Sequence, residues 1–432
     1  MSDIFITGHR NPDLDSVCSA YAFAVLKNKI DSENNYVAVR CGHLSQTARK
    51  VLESLNIQIP PYMRDIYPKV NDVMLTKDSH IELTTPLSEL ALTYDDSNPS
   101  VTPVYNGDRF VGLLSVDDIS HWAMKTLSEH GVIDAVPLVR DIMRDQEAPC
   151  MDTDMFEDAK SQLSSSQKRG LAVMSELGYV GYVTRRCFLK TPKHKVILVD
   201  HNEPKQSIRG IETAEIVEIL DHHRLDAVKT DLPIYIDAEP LGSTCTIVYR
   251  QFMQHGLTPD ACTARVLLTG IIADTLILRS PTTTDMDVEA AHRCAALCGE
   301  EMQEFGISMF SGVEGLKARD PFDAISSDFK SYTEHGIRFG IAQCEVTTLH
   351  DMEDYRESYL KALDEYRAHG TLDLAVLMVT DVLTEHSVLL CTRHRCLKHL
   401  QYTLISELTY DMPGVMSRKK QLLPEIISAL GM

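Results

Sequence analysis

Between His9 and Asp15, one imidazole and two carboxylates stand directly after the apolar run Ile4-Phe5-Ile6. The run reads as a β-strand, and Gly8-His9-Arg10-Asn11-Pro12-Asp13-Leu14-Asp15-Ser16 reads as the loop that leaves it. Three other stretches repeat the pattern of an apolar run ending in Asp or His: Val199-Asp200-His201-Asn202-Glu203, Asp221-His222-His223-Arg224 and Ile272-Ala273-Asp274. Ligands of open α/β sheets bind beyond the carboxyl ends of the strands. Four such strand ends therefore predict a binuclear metal site, with Asp200 on a central strand as the bridging carboxylate. Imidazoles from His9 and His222 favour Mn²⁺ or Co²⁺ over the all-oxygen shell that suits Mg²⁺. Two such ions activate water for phosphoryl transfer.

Each cluster has a plainer use when taken alone. Asp13 and Asp15 could cap the helix that follows, and Asp221-His222-His223 could be a polar strand exit. Asp274 is harder to dismiss, because a carboxylate after a buried run is costly without a cation or donors. The coincidence of four clusters favours the site.

The elements that must position these groups follow from periodicity. Ser16 is a plausible N-cap for a helix whose face is Val17, Ala20, Tyr21, Ala24 and Val25, and a second strand follows at Tyr36–Val39. Between 65 and 190 the character changes. Val70-Asn71-Asp72-Val73-Met74 recurs as Val139-Arg140-Asp141-Ile142-Met143, and the same offset of 69 residues carries Gly112-Leu113-Leu114-Ser115 onto Gly181-Tyr182-Val183-Thr184. A shared offset means two copies of one unit, placed at about 65–128 and 134–190 as an insertion into a surface loop. Strands at 196–199, 216–220 and 234–236 then resume the first domain, which comprises 1–60 and 191–304 and has a mainly parallel sheet. A third unit, 305–432, has strands near 339–346, 374–380 and 388–391 and a closing helix near 419–430, with a hinge between 306 and 320.

These stretches closely resemble the family II inorganic pyrophosphatases of the DHH phosphoesterase superfamily. The resemblance rests on Gly-His-x-Asn-Pro-Asp-x-Asp at 8–15, Val-Asp-His-Asn-Glu at 199–203, Asp-His-His at 221–223, Glu-Pro-x-Gly-Ser-Thr at 239–244, Ser-Pro-Thr-x-Thr-Asp at 280–285 and Ser-Arg-Lys-Lys-Gln at 417–421. It implies an α/β fold with an N-terminal DHH domain and a smaller α/β C-terminal phosphate-binding domain of DHHA2 type. It also implies metal-dependent hydrolysis of pyrophosphate with two Mn²⁺ or Co²⁺ ions per site and Mg²⁺ arriving with substrate. On this pattern His9, Asp13 and Asp200 hold one metal, and Asp15, Asp200, His222 and Asp274 hold the other. His223 contacts substrate and assists departure of the leaving phosphate, while Lys330, Arg418 and Lys419 grip the phosphates. A homodimer is part of the same expectation.

The inserted repeat resembles a tandem pair of CBS domains, which often bind adenine nucleotides. In Gly112-Leu113-Leu114-Ser115-Val116-Asp117-Asp118-Ile119 the resemblance gives Asp118 to a ribose and Ser115 to phosphates, with AMP, ADP or ATP as regulators. The second copy keeps Thr184 but has Cys187 where Asp118 has its counterpart, and Arg169 supplies phosphate charge there. A role as a dimerisation spacer, with Ser115 and Asp118 as a helix cap, is the alternative.

Composition narrows the classes. A formal charge of −20 argues against a nucleic-acid partner, which needs clustered Lys and Arg. No apolar stretch approaches the roughly 20 residues that span a bilayer, and the amino terminus does not read as a secretory signal. Eleven scattered cysteines without a Cys-x-x-Cys pair read as reduced thiols of a cytoplasmic protein. Two other functions stay open at this stage. One is a DHH phosphoesterase acting on polyphosphate or small nucleotides; the other is a non-enzymatic nucleotide sensor, which would predict a broken ligand set.

Overall fold

The first strand, β1 (Asp3–Thr7), becomes buried towards its carboxyl end, at Ile6 and Thr7, and delivers the chain to the Gly8–Asp13 loop. Helix α1 (Leu14–Ile30) and strand β2 (Asn35–Val39) follow. The computed structural model describes residues 3–431 except 77–79, 93–99, 227–228, 312–315, 347 and 382–383. It divides into two compact units, one formed by Met1–Ile66 with Lys195–Met432 and one by Tyr67–His194.

The cap of α1 is Asp13, whose Oδ1 accepts from the Ser16 N–H at 2.9 Å; Ser16, the expected N-cap, lies inside the helix. The expected single apolar face is also too narrow. Cys18, Ala22, Phe23 and Leu26 are buried alongside Val17, Ala20 and Ala24, because the helix is enclosed by the sheet and by other helices.

The Tyr67–His194 unit contains two three-stranded sheets. The first comprises β3 (Ile81–Glu82), β4 (Val101–Asn106) and β5 (Arg109–Ser115), with helix α2 (Val116–His130) leaving β5. The second comprises β6 (Cys150–Met151), β7 (Gly170–Ser175) and β8 (Gly178–Thr184). Their hairpins share one register: Val101 faces Ser115 as Gly170 faces Thr184, and Pro103 faces Leu113 as Ala172 faces Tyr182.

The larger unit continues with β9 (Lys195–Val199), β10 (Glu215–Asp221) and β11 (Tyr235–Ala238). They complete a parallel sheet of order β11-β10-β9-β1-β2, so β9 is central. The order reverses between β1 and β9, and a crevice opens at the carboxyl ends of strands at such a point. Helices α3 (Thr244–Gln254), α4 (Ala261–Asp274) and α5 (Asp285–Cys298) cover the sheet together with α1, joining one apolar core.

A second, mixed sheet of order β12-β13-β14-β15-β17-β16 follows: β12 (Phe329–Glu334), β13 (Ile337–Val346), β14 (Leu374–Asp381), β15 (His386–Cys391), β16 (Thr403–Ser406) and β17 (Thr409–Pro413). All eight residues of β14 are buried, as expected of a central strand with apolar layers on both faces. Helix α6 (Met352–His369) joins the parallel pair β13 and β14, and α7 (Leu423–Leu430) closes the chain. Of the stretch expected to be a hinge, 306–311 belongs to the helix Met302–Ser311, and 312–315 lies outside the described residues. No helix among the described residues is long and apolar enough to cross a membrane.

Candidate metal centre

Three of the four ligand clusters leave strand ends, those of β1, β9 and β10. The fourth does not: Asp274 is the last residue of helix α4, where a strand was expected. Ala261–Asp274 is apolar because it is buried within the helical layer, and a short apolar run does not distinguish a buried helix from a strand. Gly270 allows this helix to come close, since a Cβ there would lie 2.3 Å from Cys245 Sγ and 3.0 Å from Asp15 Oδ1.

The clusters converge on Asp200, whose side chain is 2 % exposed. Its Oδ2 lies 3.3 Å from His9 Nε2, and its Oδ1 lies 3.3 Å from His222 Nε2. His9 Nε2 is also 3.2 Å from Asp13 Oδ2, and His222 Nε2 is 3.3 Å from Asp274 Oδ2. One carboxylate thus presents an oxygen to each of two nitrogen–oxygen clusters. The ligand atoms of His9, Asp13 and Asp200 lie within 4.8 Å of one another, as do those of Asp15, His222 and Asp274. Asp200 has φ of 59°, in the left-handed region that Asp tolerates better than most residues.

The surrounding hydrogen bonds fix these groups. Asp15 accepts from Ser243 Oγ (2.6 Å), the Thr244 N–H (2.7 Å) and the Cys245 N–H (3.0 Å), so it sits on the amino terminus of α3. Thr244 Oγ1 donates to Asp200 Oδ1 at 3.1 Å. His222 Nδ1 is 3.0 Å from the Leu241 carbonyl, which holds the proton on Nδ1 and leaves the Nε2 lone pair able to take a metal ion. His223 Nδ1 is 2.8 Å from Asp221 Oδ1, and Asn202 Nδ2 donates to Asp221 Oδ2 at 2.6 Å.

The electrostatics of this cluster call for cations. Burial, with Asp200 and Asp274 nearby, pushes the Asp15 carboxyl up to about 8, and burial raises Asp274 to about 6. Burial works against charge on His9 and His222, yet adjoining carboxylates hold them at about 10 and about 9. Burial alone would raise Asp200, but its histidine donors place it well below the usual carboxylate range. Protons here occupy positions that divalent ions would neutralise better, and the mixed nitrogen and carboxylate donors fit Mn²⁺ or Co²⁺.

Basic side chains from the carboxyl-terminal part face the same crevice. Arg418 is 5 % exposed; its Nη1 donates to the Asp328 carbonyl at 2.9 Å and pairs with Asp328 Oδ1 at 2.8 Å. Among the described residues its Nε has no hydrogen-bond partner. It opens a π-helical turn, Arg418–Leu422, that Ser417 caps and that leads into α7. Burial and the neighbouring Lys330 bring the Lys419 ammonium down to about 8. Burial, then Lys419 and His222, depress the His223 imidazole well below its ordinary value, with Lys330 adding to the effect.

The DHH family N-terminal domain matches residues 3–271, and the DHHA2 domain matches 307–429. The manganese-dependent inorganic pyrophosphatase of Methanothrix thermoacetophila is 35% identical over 239 residues, covering 54% of this chain and 77% of the relative. The chain belongs to the family II inorganic pyrophosphatases. The cobalt-dependent inorganic pyrophosphatase of Clostridium perfringens is 26% identical across 98% of this chain and 97% of its own. A crystal structure of a Methanococcus jannaschii protein assigned to the same family shares the fold, with a TM-score of 0.62, 21% identity and full coverage of both chains.

For a family II pyrophosphatase, the residues that sequence reading left without a role are Ser243, Thr244, Asp221 and Asn202. Ser243 and Thr244 belong to a motif already quoted, but only folding brings their hydroxyls to Asp15 and Asp200. In the Tyr67–His194 unit, Ser115, Asp118 and Arg169 line one cavity of about 220 Å³, and Thr184 is not among its lining residues. Ser115 and Asp118 form a reciprocal helix cap, Arg144 Nε pairs with Asp118 Oδ1 at 2.6 Å, and Arg169 Nε donates to Asp117 at 2.7 Å. Thr184 meets Cys187 instead, its N–H lying 3.3 Å from the sulfur.

Proposed function

We propose that this protein hydrolyses inorganic pyrophosphate to two phosphates with the help of two divalent ions, Mn²⁺ or Co²⁺. The observation that carries the reading is the single buried carboxylate of Asp200, placed between His9 with Asp13 on one side and His222 with Asp274 on the other. His9, Asp13 and Asp200 would hold one ion, and Asp15, Asp200, His222 and Asp274 the other. The bound ions supply the acidity that makes water a nucleophile near neutral pH, and they offset phosphate charge.

The chain's own groups do the rest. Lys330, Arg418 and Lys419 bind the phosphates, where positive charge in a dry site gains most as charge shifts towards the leaving group. His223 is neutral among cations, and Asp221 holds its Nδ1 proton. Arrival of a tetra-anion favours the imidazolium. Its Nε2 proton can then pass to the departing phosphate, while Asp221 keeps the ring oriented. Cleavage of polyphosphate or small nucleotides remains the competing activity.

Removal of metal with a chelator, reloading with Mn²⁺, Co²⁺ or Mg²⁺, and assay of phosphate release test the proposal. Pyrophosphate should be cleaved well ahead of tripolyphosphate and dinucleotides. Equal or preferred cleavage of the larger substrates would replace the reading with the broader phosphoesterase one. Binding of nucleotide without any hydrolysis would leave only a sensor.

A second reading concerns control. The cavity lined by Ser115, Asp118, Lys168 and Arg169 supports an adenine nucleotide as a regulator bound by the smaller unit. Regulation requires that the nucleotide bind two states of the protein unequally. AMP, ADP and ATP titrated into the enzyme during turnover should each change the rate if they bind; no change with any of them removes this reading.

A further inference from the structure

The two repeats of the smaller unit seal the same backbone groups by different means. In the second repeat, Tyr182 faces Ala172 across the hairpin, and on its other side it forms a main-chain bridge with Leu75. The Leu75 N–H donates to the Tyr182 carbonyl at 2.8 Å, and the Tyr182 N–H to the Leu75 carbonyl at 3.0 Å. A Cβ on Gly181 would stand 2.6 Å from that Leu75 oxygen, so the bridge lies directly on the strand.

Leu113 occupies the matching place in the first repeat. Its hairpin partner, Pro103, has no N–H to give, and its own N–H and carbonyl turn to the free edge of β5. A side chain fills that edge instead of main chain. The Leu113 N–H donates to Gln146 Oε1 at 2.8 Å, and Gln146 Nε2 donates to the Leu113 carbonyl at 3.3 Å and to the Arg144 carbonyl at 2.9 Å. A Cβ on Gly112 would stand 2.5 Å from Gln146 Cδ, so the glycine admits this flat carboxamide against the strand.

The two seals differ in permanence. Opening the bridge at Tyr182 requires moving chain, whereas Gln146 is an exposed residue in an irregular stretch, and one side-chain rotation into water would free Leu113. Leu113 and Gln146 both line the 220 Å³ cavity, together with Asp118, Lys168 and Arg169. A donor and an acceptor on one strand edge pair with a planar partner that offers an acceptor beside a donor. The carboxamide of glutamine does so, and so does the edge of adenine.

We propose that Gln146 is an internal stopper on the β5 edge, holding the backbone pair that the base of a bound adenine nucleotide takes over. The proposal rests on the reading that this unit takes such a nucleotide. The phosphate end lies towards Lys168 and Arg169, and binding displaces the Gln146 side chain. Because only the fraction of protein with the stopper open can bind, the stopper weakens apparent affinity.

The test compares the full-length protein with Gln146→Ala, using AMP as the probe. Affinity is measured by calorimetry, and amide exchange is followed by mass spectrometry over residues 109–115. Gln146→Ala should bind AMP about 5–10-fold more tightly, the equivalent of removing one or two ordinary hydrogen bonds from competition. Without ligand, its 109–115 segment should exchange faster than in the parent protein, and AMP should restore protection. If AMP binds both proteins equally, or the variant more weakly, without slowing exchange in the variant, the stopper is refuted while nucleotide binding stands. If AMP binds neither protein, both ideas fall together.

Discussion

Replacing Thr244 by Val removes one hydroxyl from the metal centre and little else. The side chains are close in shape, the site is fully buried, and the Thr244 N–H stays on Asp15. What disappears is the 3.1 Å donation from Oγ1 to Asp200 Oδ1, the oxygen that also faces His222. A hydrogen bond to a charged group contributes about 1.5–3 kcal/mol, which is roughly 10–100-fold in a binding constant. Loss of partners that orient metal ligands costs a similar factor. Thr244→Val should therefore weaken Mn²⁺ binding to the metal-free protein by about 10–100-fold, as measured by calorimetry with a competing chelator, and Thr244→Ser should stay near the parent. Turnover at saturating Mn²⁺ should fall less than affinity, because no group that touches the phosphates is altered. Unchanged Mn²⁺ affinity in the Val variant would show that the hydroxyl does not orient Asp200, and the account of this carboxylate as a fixed bridge would fail.

Three other outcomes follow from the same geometry. Asp200→Ala should abolish metal-dependent phosphate release while leaving the circular dichroism spectrum unchanged; near-normal turnover would refute the bridging role. Arg418→Lys should lower kcat/KM for pyrophosphate by roughly 10–100-fold through loss of the planar fork, with Mn²⁺ affinity intact; parallel losses in both would mean that the residue is structural. The third outcome concerns pH. Asp274 at about 6 and Asp15 at about 8 bind protons in the metal-free fold that the unfolded chain has already released, so stability of the metal-free protein falls as pH rises towards 8. Mn²⁺ must displace those protons, so its apparent affinity should rise between about pH 6 and 8, read as thermal midpoints with and without Mn²⁺. A metal-free midpoint that rises with pH over that range would contradict the sign.

The candidate site was legible in the chain because the clusters that compose it are local. Asp13 and Asp15 stand four and six residues after His9, and an apolar run ending in Asp or His carries its own direction. The strands β1, β9 and β10 could therefore be placed, and so could the central position of β9, because parallel strands buried on both faces read as apolar runs. Tertiary structure decided what local pattern leaves ambiguous. Ala261–Asp274 is apolar as a buried helix rather than as a strand, and only packing under Asp15 makes the difference. The edge strands β12 and β16 are partly or largely exposed and lack a strong period, and β17 between β15 and β16 is only five residues long. Ser243 and Thr244 acquire a role only when α3 brings its amino terminus to residues more than two hundred positions earlier in the chain or, for Asp200, 44 positions earlier. The exchange of Leu75 main chain for the Gln146 side chain between two repeats of equal register is likewise invisible to any periodicity, because both segments cross to a strand distant in sequence. Residue type and spacing set which atoms could hold metal; the fold set which donors hold those atoms still.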